Sequence, residues 1–142
     1  MYTYQYPRPA VTVDMLVVDK LGQTPRILLI ERRNNPYAGC WALPGGFVDE
    51  NEDIDDAALR ELREETSLTD VALQQFRAFG KPRRDPRGHT VTIAYWGIAN
   101  NPQLAAAADD AKNLAWFEID QLPPLAFDHA EIISIGLKEI CD

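Results

Sequence analysis

Three glutamates at helical spacing are the residues of this sequence best suited to chemistry. Glu61, Glu64 and Glu65 are related as i, i+3 and i+4, so on a helix they project from one side within an arc of about 100°. Three carboxylates that close repel one another unless a positive group lies between them. Hard divalent cations such as Mg²⁺ bind clustered carboxylate oxygens and keep water and phosphate oxygens as further ligands. The spacing therefore indicates a magnesium site, with a solvated helix face as the alternative.

The turn Pro44-Gly45-Gly46 lies ahead of these glutamates in the chain. Glycine has no Cβ atom, so Gly45 and Gly46 let the backbone approach a bound ion closely. A free backbone carbonyl at this turn would add an oxygen ligand to the carboxylates. We therefore expect the turn and the glutamates to face one site.

A helix is expected from about Asp53 to Ser67, and it positions the three glutamates. Asp53 is a suitable N-cap, and the acidic residues of the first turn favour the positive end of the helix dipole. Leu59 and Leu62 mark the side of this helix that faces the core. A second, amphipathic helix is expected to open at Asp128, where Asp128 and Glu131 resemble a capping box.

The remaining elements are mostly strands, recognised by alternation and by β-branched residues. They are expected at Ala10–Val18, Arg26–Arg32, Cys40–Leu43, Val71–Phe79, Thr90–Ala99 and Leu114–Ile119. Strands outnumber helices and the helices are interspersed, which predicts an α/β sandwich with a mixed sheet and helices on both faces. A chain of 142 residues suits one domain over residues 1–142.

The charge balance narrows the class of partner. The chain has 22 acidic residues against 14 Lys and Arg, a net charge of −8, which argues against coating nucleic acid. Residues 49–65 alone hold nine acids and two arginines, so most of this charge lies in the segment expected to bind metal. No apolar run reaches the roughly 18 residues of a membrane span, and no secretory signal is visible. With Cys40 and Cys141 expected as reduced thiols, a cytoplasmic location follows.

Eight residues match the spacing of the Nudix box, G-x5-E-x7-R-E-U-x-E-E-x-G-U, where U is a bulky aliphatic residue. They are Gly46, Glu52, Arg60, Glu61, Leu62, Glu64, Glu65 and Leu68. The chain therefore resembles the Nudix hydrolases, which cleave a nucleoside diphosphate linked to another moiety. One fixed position departs: Ser67 stands where the pattern has Gly, just past the helix, where a left-handed C-cap is commonly needed.

The resemblance implies a Nudix-type α/β/α sandwich and a role for each matched residue. Glu61, Glu64 and Glu65 would be catalytic carboxylates that bind Mg²⁺, with Mn²⁺ as a substitute, and the Gly45 carbonyl would be a further metal ligand. Gly46, Glu52 and Arg60 would be structural, with Glu52 and Arg60 pairing across the junction between loop and helix. For that pair, a surface ion pair is the alternative.

Segments outside the box resemble the ADP-ribose pyrophosphatase branch of the family. They are residues 6–14, 41–48 and 84–88. This resemblance implies hydrolysis of ADP-ribose to AMP and ribose 5-phosphate, with a homodimer as the expected assembly. Two alternatives stay open: a Nudix pyrophosphatase for a dNTP or a nucleotide sugar, and a non-catalytic ADP-ribose sensor like that of a related group of bacterial regulators. No recognition-helix segment follows the last helix of the sequence, and the intact carboxylates favour catalysis.

A basic island interrupts the acidic chain at Lys81, Arg83, Arg84 and Arg87. Arginine forks suit phosphate oxygens, and a loop between two strands can hold them toward a ligand. Arg84 and Arg87 are therefore expected to contact phosphate or the terminal ribose, while Lys81 and Arg83 are expected to be solvated.

Two further assignments stay open at this point. The general base is either a glutamate of the box or an acid on a separate loop, for which Asp109 and Asp110 are the candidates and solvated loop acids the alternative. Four strand aromatics either stack on the adenine or belong to the core, namely Trp41, Phe79, Trp96 and Trp116.

Overall fold

The computed structural model describes residues 2–106 and 113–141, with side chains to residue 140. Within these ranges a mixed sheet of seven strands is flanked by two α-helices. The strands are β1 (Ala10–Asp19), β2 (Arg26–Glu31), β3 (Trp41–Ala42), β4 (Gly45–Phe47), β5 (Gln74–Phe79), β6 (Thr90–Ile98) and β7 (Asn113–Glu118). The helices are α1 (Ile54–Thr66) and α2 (His129–Cys141), with one 3₁₀ turn at Pro102–Leu104.

Strand β1 is the centre of the sheet. It pairs in parallel with β6, from Ala10 opposite Thr90 to Val18 opposite Ile98, and antiparallel with β2 and β4. The order β3-β2-β1-β6-β5 forms the main path, with β4 added on β1 and β7 on β2. Since β1 has partners along both edges and packing on both faces, it is almost continuously buried after its first two residues.

Successive side chains of β1 point to opposite faces, and each face has its own core. Val13, Met15 and Val17 pack on the α1 side, together with Leu62 of that helix. On the α2 side the alternate residues of β1 pack against Ile132 and Ile133. The expected α/β/α sandwich is confirmed.

Helix α1 begins and ends close to the expected residues, but its buried face differs from the expectation. The buried residues of α1 are Ala57, Ala58, Leu62 and Thr66. Leu59 is 47% exposed, so placing it on the core side was wrong. Ser67 ends the helix in the left-handed region, at φ 66°, which is the conformation that usually calls for glycine.

Helix α2 begins at His129, one residue after Asp128, as expected, but not through a capping box. The Asp128 carboxylate instead accepts two hydrogen bonds from Arg84, at 2.8 and 2.6 Å. No helix in the part of the chain that the structure describes is long and apolar enough to cross a membrane.

Candidate active site

A cleft of about 220 Å³ opens between β4, the end of α1 and the loop before β6. It is lined by Thr12, Asp14, Ile30, Arg32, Ala42, Leu43, Gly45, Gly46, Phe47, Glu65, Arg84, Asp85, Arg87, Phe127 and His129. Carboxylates and arginines therefore meet in one concave site, which suits an anionic ligand held with the help of cations.

Two glycines bring the backbone of β4 against carboxylates. A Cβ atom on Gly45 would lie 2.1 Å from the Val13 carbonyl oxygen and 2.5 Å from Oδ1 of Asp14. A Cβ on Gly46 would lie 2.6 Å from the carboxyl carbon of Glu61. Residues 45–47 form a strand paired with β1, so the expected turn at this position was wrong. The missing Cβ atoms let the β4 backbone lie close enough to β1 to pair with it.

The glutamates that end α1 differ in their surroundings. Oε1 of Glu65 accepts a hydrogen bond from the Gly45 N–H at 2.7 Å. Burial raises the pKa of Glu65 to about 8, and the nearby negative charges of Glu61, Asp14 and Glu64 act in the same direction. Burial also raises the pKa of Glu61, against hydrogen bonds from Arg60. Glu64 is exposed.

Arg60 connects the loop before α1 to two of these glutamates. Its Nε and Nη2 donate to the Glu52 carboxylate at 2.7 and 2.9 Å, so the two side chains form the pair expected from the motif. Its Nη1 donates to Glu61 at 2.9 Å and to Glu64 at 3.2 Å, and Nη2 also reaches the Phe47 carbonyl at 3.1 Å. The hydrogen bonds from Arg60 lower the pKa of Glu52 to about 2. One guanidinium thus orients carboxylates on both sides of the junction.

The chemistry of these donors fits a hard divalent cation. Among residues 2–106 and 113–141, no three His, Cys, Asp or Glu side chains form a ready-made metal cage. Mg²⁺ does not need one, because it keeps water and substrate phosphate as ligands beside one or two carboxylates. Glu61 and Glu65 are partly buried oxygen donors with raised pKa values, and a bound cation would offset the repulsion that contributes to those shifts.

Arg84 and Arg87 both line the cleft. Lys81 and Arg83 do not line it and are exposed. Arg84 and Arg87 are each oriented by a carboxylate. Arg84 is bidentate to Asp128, and Arg87 donates through Nε and Nη2 to the buried Asp85 at 3.0 and 2.7 Å. Asp109 and Asp110 lie outside the described residues.

A buried acid and a buried imidazole in the cleft wall were not expected to take part in the site. Oδ2 of Asp14 accepts a hydrogen bond from the Thr92 hydroxyl at 2.6 Å, and Oδ1 lies 3.6 Å from Nε2 of His129. Nδ1 of His129 accepts the Leu43 N–H at 3.0 Å, which leaves Nε2 as the nitrogen facing Asp14. Burial raises the pKa of Asp14 and lowers that of His129. The one sequence signal was a charged residue inside an apolar strand.

The structure decides between the two alternatives left open for the four strand aromatics, and places them in the cores. Trp41, Phe79, Trp96 and Trp116 all belong to the two cores or pack against them. The cleft is instead lined by Phe47 and by Phe127, whose backbone lies in the left-handed region at φ 52°. The guanidinium carbon of Arg87 lies 5.2 Å from the centroid of the Phe47 ring and 5.4 Å from that of Phe127.

Comparison with known proteins identifies the family. The family model described as the NUDIX domain matches residues 8–134, which is most of the chain. The protein belongs to the Nudix family, and the resemblance recognised in the box is confirmed.

Two relatives of known description are similar to most of this chain. The chain is 43% identical over 128 residues to an ADP-ribose pyrophosphatase of Methanocaldococcus jannaschii, which covers 90% of this chain and 73% of the relative. It is 36% identical over 132 residues to the ADPR responsive transcriptional repressor NtrR of Acinetobacter baylyi, covering 90% of this chain but 53% of the repressor.

Solved structures confirm the fold. A MutT/nudix family protein of Enterococcus faecalis superimposes with a TM-score of 0.87 at 33% identity, over all of this chain and 66% of that one. The NUDIX domain of Shewanella oneidensis NrtR, solved in complex with ADP ribose, superimposes with a TM-score of 0.83 at 29% identity, over 95% of this chain and 90% of that domain.

Proposed function

We propose that this protein is a Mg²⁺-dependent Nudix hydrolase that cleaves ADP-ribose to AMP and ribose 5-phosphate. The observation that carries the proposal is the intact set of box glutamates beside a cleft that three arginines line. The 43% identity to an ADP-ribose pyrophosphatase supports the choice of substrate.

Glu61, Glu64 and Glu65, with the Gly45 carbonyl, are the proposed ligands of Mg²⁺, which Mn²⁺ can replace. When bound, the metal neutralises charge on the diphosphate and makes a bound water more acidic. Arg60 holds Glu61 and Glu64 in register with the loop before the helix. Gly46 leaves the space that the Glu61 carboxylate occupies.

Arg84 and Arg87 are the proposed contacts to a substrate phosphate or to the terminal ribose. Their Nε and Nη2 groups donate to carboxylates, and within residues 2–106 and 113–140 Nη1 of each guanidinium has no acceptor, so we assign Nη1 to the ligand. Asp128 and Asp85 are then positioning residues, because they hold the two forks in fixed planes before substrate arrives.

The general base is either a box glutamate or Asp110, which we propose from its place in the sequence between β6 and β7. Comparing kcat against pH for the Asp110→Asn and Asp109→Asn variants tests this choice. If Asp110 is the base, its variant loses kcat and the matched Asp109 variant keeps it. Wild-type kcat in both variants would leave a glutamate of the box as the base.

A non-catalytic ADP-ribose sensor is the second candidate function. The specific observations in its favour are the 36% identity to an ADPR responsive repressor and the likeness to the NrtR domain solved with ADP ribose. A sensor would bind ADP-ribose and release no product with either Mg²⁺ or Mn²⁺.

A substrate panel tests the proposed function against both alternatives. The protein is incubated with ADP-ribose, NAD⁺, nucleotide sugars or dNTPs in the presence of Mg²⁺, and the products are identified by chromatography. The highest kcat/KM is expected for ADP-ribose, with AMP as a product. A higher value for another compound would contradict the choice of substrate, and binding without turnover would favour the sensor.

We also propose one Nudix domain over residues 1–142, a cytoplasmic location and a homodimer that binds a small-molecule nucleotide and no nucleic acid. The acidic charge supports the last point. Light scattering coupled to size-exclusion chromatography measures the assembly directly, and a mass of 16.0 kDa would identify a monomer instead.

A further inference from the structure

Three arginine side chains line the cleft, and Arg32 differs from the other two in its partners. Arg84 and Arg87 are each paired with a carboxylate. Arg32 forms no ion pair within residues 2–106 and 113–141. Its described side-chain hydrogen bond runs from Nε to the Pro36 carbonyl, at 2.8 Å. Arg32 is therefore the cleft arginine whose charge no described carboxylate neutralises at contact distance.

The guanidinium of Arg32 is held in place although it lacks an acidic partner. The backbone that carries this side chain is fixed, because the Arg32 N–H donates to the Cys40 carbonyl and the Arg32 carbonyl accepts the Gly39 N–H, both at 2.8 Å. The ring of Phe127 lies 4.9 Å from the guanidinium carbon. Arginine has five N–H donors, and Nε uses one. The N–H groups on Nη1 and Nη2 have no acceptor among the residues that the structure describes.

A second positive charge lies close to Arg32. The guanidinium of Arg87 lies over the same Phe127 ring, 5.4 Å from its centroid. Burial lowers the pKa of Arg32, and the charge of Arg87 acts in the same direction, while the more distant carboxylates of Asp85 and Glu65 act against this shift without forming an ion pair. Both side chains stay charged at neutral pH, because arginine titrates far above it. Arg32 is half-buried and Arg87 is exposed at the mouth of the cleft, so an anion bound at Arg32 would offset the repulsion between the two cations.

We infer that Arg32 binds a phosphate oxygen of the nucleotide and selects ligands that carry the diphosphate, a role that rests on the proposed function. The ligand chemistry is an anion with two oxygens at one phosphorus, which matches the planar N–H pair that Arg32 presents. Arg32 lies directly after β2, on a backbone fixed by two hydrogen bonds, so the cleft offers this donor set without rearrangement.

Binding measured without metal tests the role of Arg32 apart from turnover. Calorimetric titrations in EDTA compare ADP-ribose with adenosine, which carries the base and no phosphate. For Arg32→Ala, the Kd of ADP-ribose is expected to rise about 10- to 100-fold, the range for a lost charged hydrogen bond. For Arg32→Lys, the Kd of ADP-ribose is expected to lie between those of the wild type and Arg32→Ala, because lysine keeps the charge and lacks the planar guanidinium. The Kd of adenosine is expected to stay within about twofold.

Arg77→Ala is the matched control. Its guanidinium also lies over a phenylalanine ring, Phe79 at 5.3 Å, but the residue does not line the cleft. This variant is expected to bind ADP-ribose as the wild type does. A steeper salt dependence of ADP-ribose binding in the wild type than in Arg32→Ala would further separate a charge contact from a loosened loop.

The outcomes separate this inference from the proposed function. An unchanged Kd for ADP-ribose in Arg32→Ala, or an equal loss of adenosine binding, would overturn the role of Arg32. Wild-type binding that depends on Arg32 but gives no AMP with Mg²⁺ would overturn the hydrolase and leave the Arg32 contact standing. A wild-type protein that shows no saturable binding of ADP-ribose would overturn both.

Discussion

Gly46→Ala isolates the contact between β4 and helix α1, which carries the proposed metal ligands. A Cβ at this position would lie 2.6 Å from the carboxyl carbon of Glu61, and an ordinary contact begins at 3.4 Å. The carboxylate must therefore retreat by about 0.8 Å. Because a misplacement of about 1 Å at a catalytic group can cost about 100-fold, kcat/KM for ADP-ribose is expected to fall about 100-fold. This corresponds to about 3 kcal/mol of transition-state stabilisation.

The fold is expected to tolerate this change. The clashing atoms belong to the end of a side chain, and Gly46 lies outside the left-handed region, so alanine can adopt its backbone conformation. Alanine also restricts the unfolded chain, which offsets part of the strain. The free energy of unfolding is therefore expected to change by less than about 1 kcal/mol, as measured by urea denaturation.

Gly45→Ala is the matched comparison, because there the obstacle is backbone. Its Cβ would lie 2.1 Å from the Val13 carbonyl oxygen, which cannot retreat without breaking the pairing of β4 with β1. We expect a loss of about 3 kcal/mol of stability and a fall in Tm of roughly 10 °C. Wild-type kcat/KM in Gly46→Ala, or a loss of stability there as large as in Gly45→Ala, would show that the Glu61 carboxylate does not depend on the space at Gly46.

Three further substitutions test the C-cap of α1, the ion pair of Asp19 and the role of Glu64. Ser67→Gly is expected to raise the free energy of unfolding in urea by about 1 kcal/mol, because φ is 66° at this C-cap; a destabilised variant would contradict the strain argument. Burial acts to raise the pKa of Asp19, but hydrogen bonds from Leu21 and Arg26 keep it below its ordinary value. The stability lost in Asp19→Asn is therefore expected to be full above pH about 4 and to vanish as pH falls through the folded pKa, in contrast to a pH-independent loss. Glu64→Gln is expected to lower kcat/KM at least about 100-fold with unchanged Tm, and near wild-type turnover would remove Glu64 from the metal site.

Local elements could be predicted from the sequence because local forces define them. The alternation of β1 and the periodicity of α1 set their bounds to within a residue or so. The order of the strands could not be predicted in this way. Alternation indicates which side chains share a face, but the parallel pairing of β1 with β6 joins segments far apart in the chain.

Two errors in the expected elements have physical causes. Strand β4 differs from the expected turn because Gly45 and Gly46 have low strand propensity. The need for small residues there becomes visible only in the fold, where the Val13 carbonyl lies against Gly45 and the Glu61 carboxylate lies against Gly46. The start of β5 was placed too early, at Val71, because that residue is apolar and buried without being part of the strand.

The acidic half of the candidate site was easier to predict than the basic half. Glu61, Glu64 and Glu65 lie within five residues on one helix, so helix geometry alone places them together. Arg32 could not be recognised, because an arginine at the end of a strand is usually solvated. What distinguishes it is a ring supplied by Phe127, from a remote segment of the chain.

The most direct test of the central claim is a time course of ADP-ribose with the wild-type protein, followed by ³¹P NMR with Mg²⁺ and with EDTA. We expect the two diphosphate resonances to disappear with Mg²⁺ and AMP and ribose 5-phosphate to appear in equal amounts, while the EDTA sample stays unchanged. Persistence of the diphosphate resonances with Mg²⁺, in a sample that demonstrably binds ADP-ribose, would contradict hydrolysis and identify the protein as a binding domain.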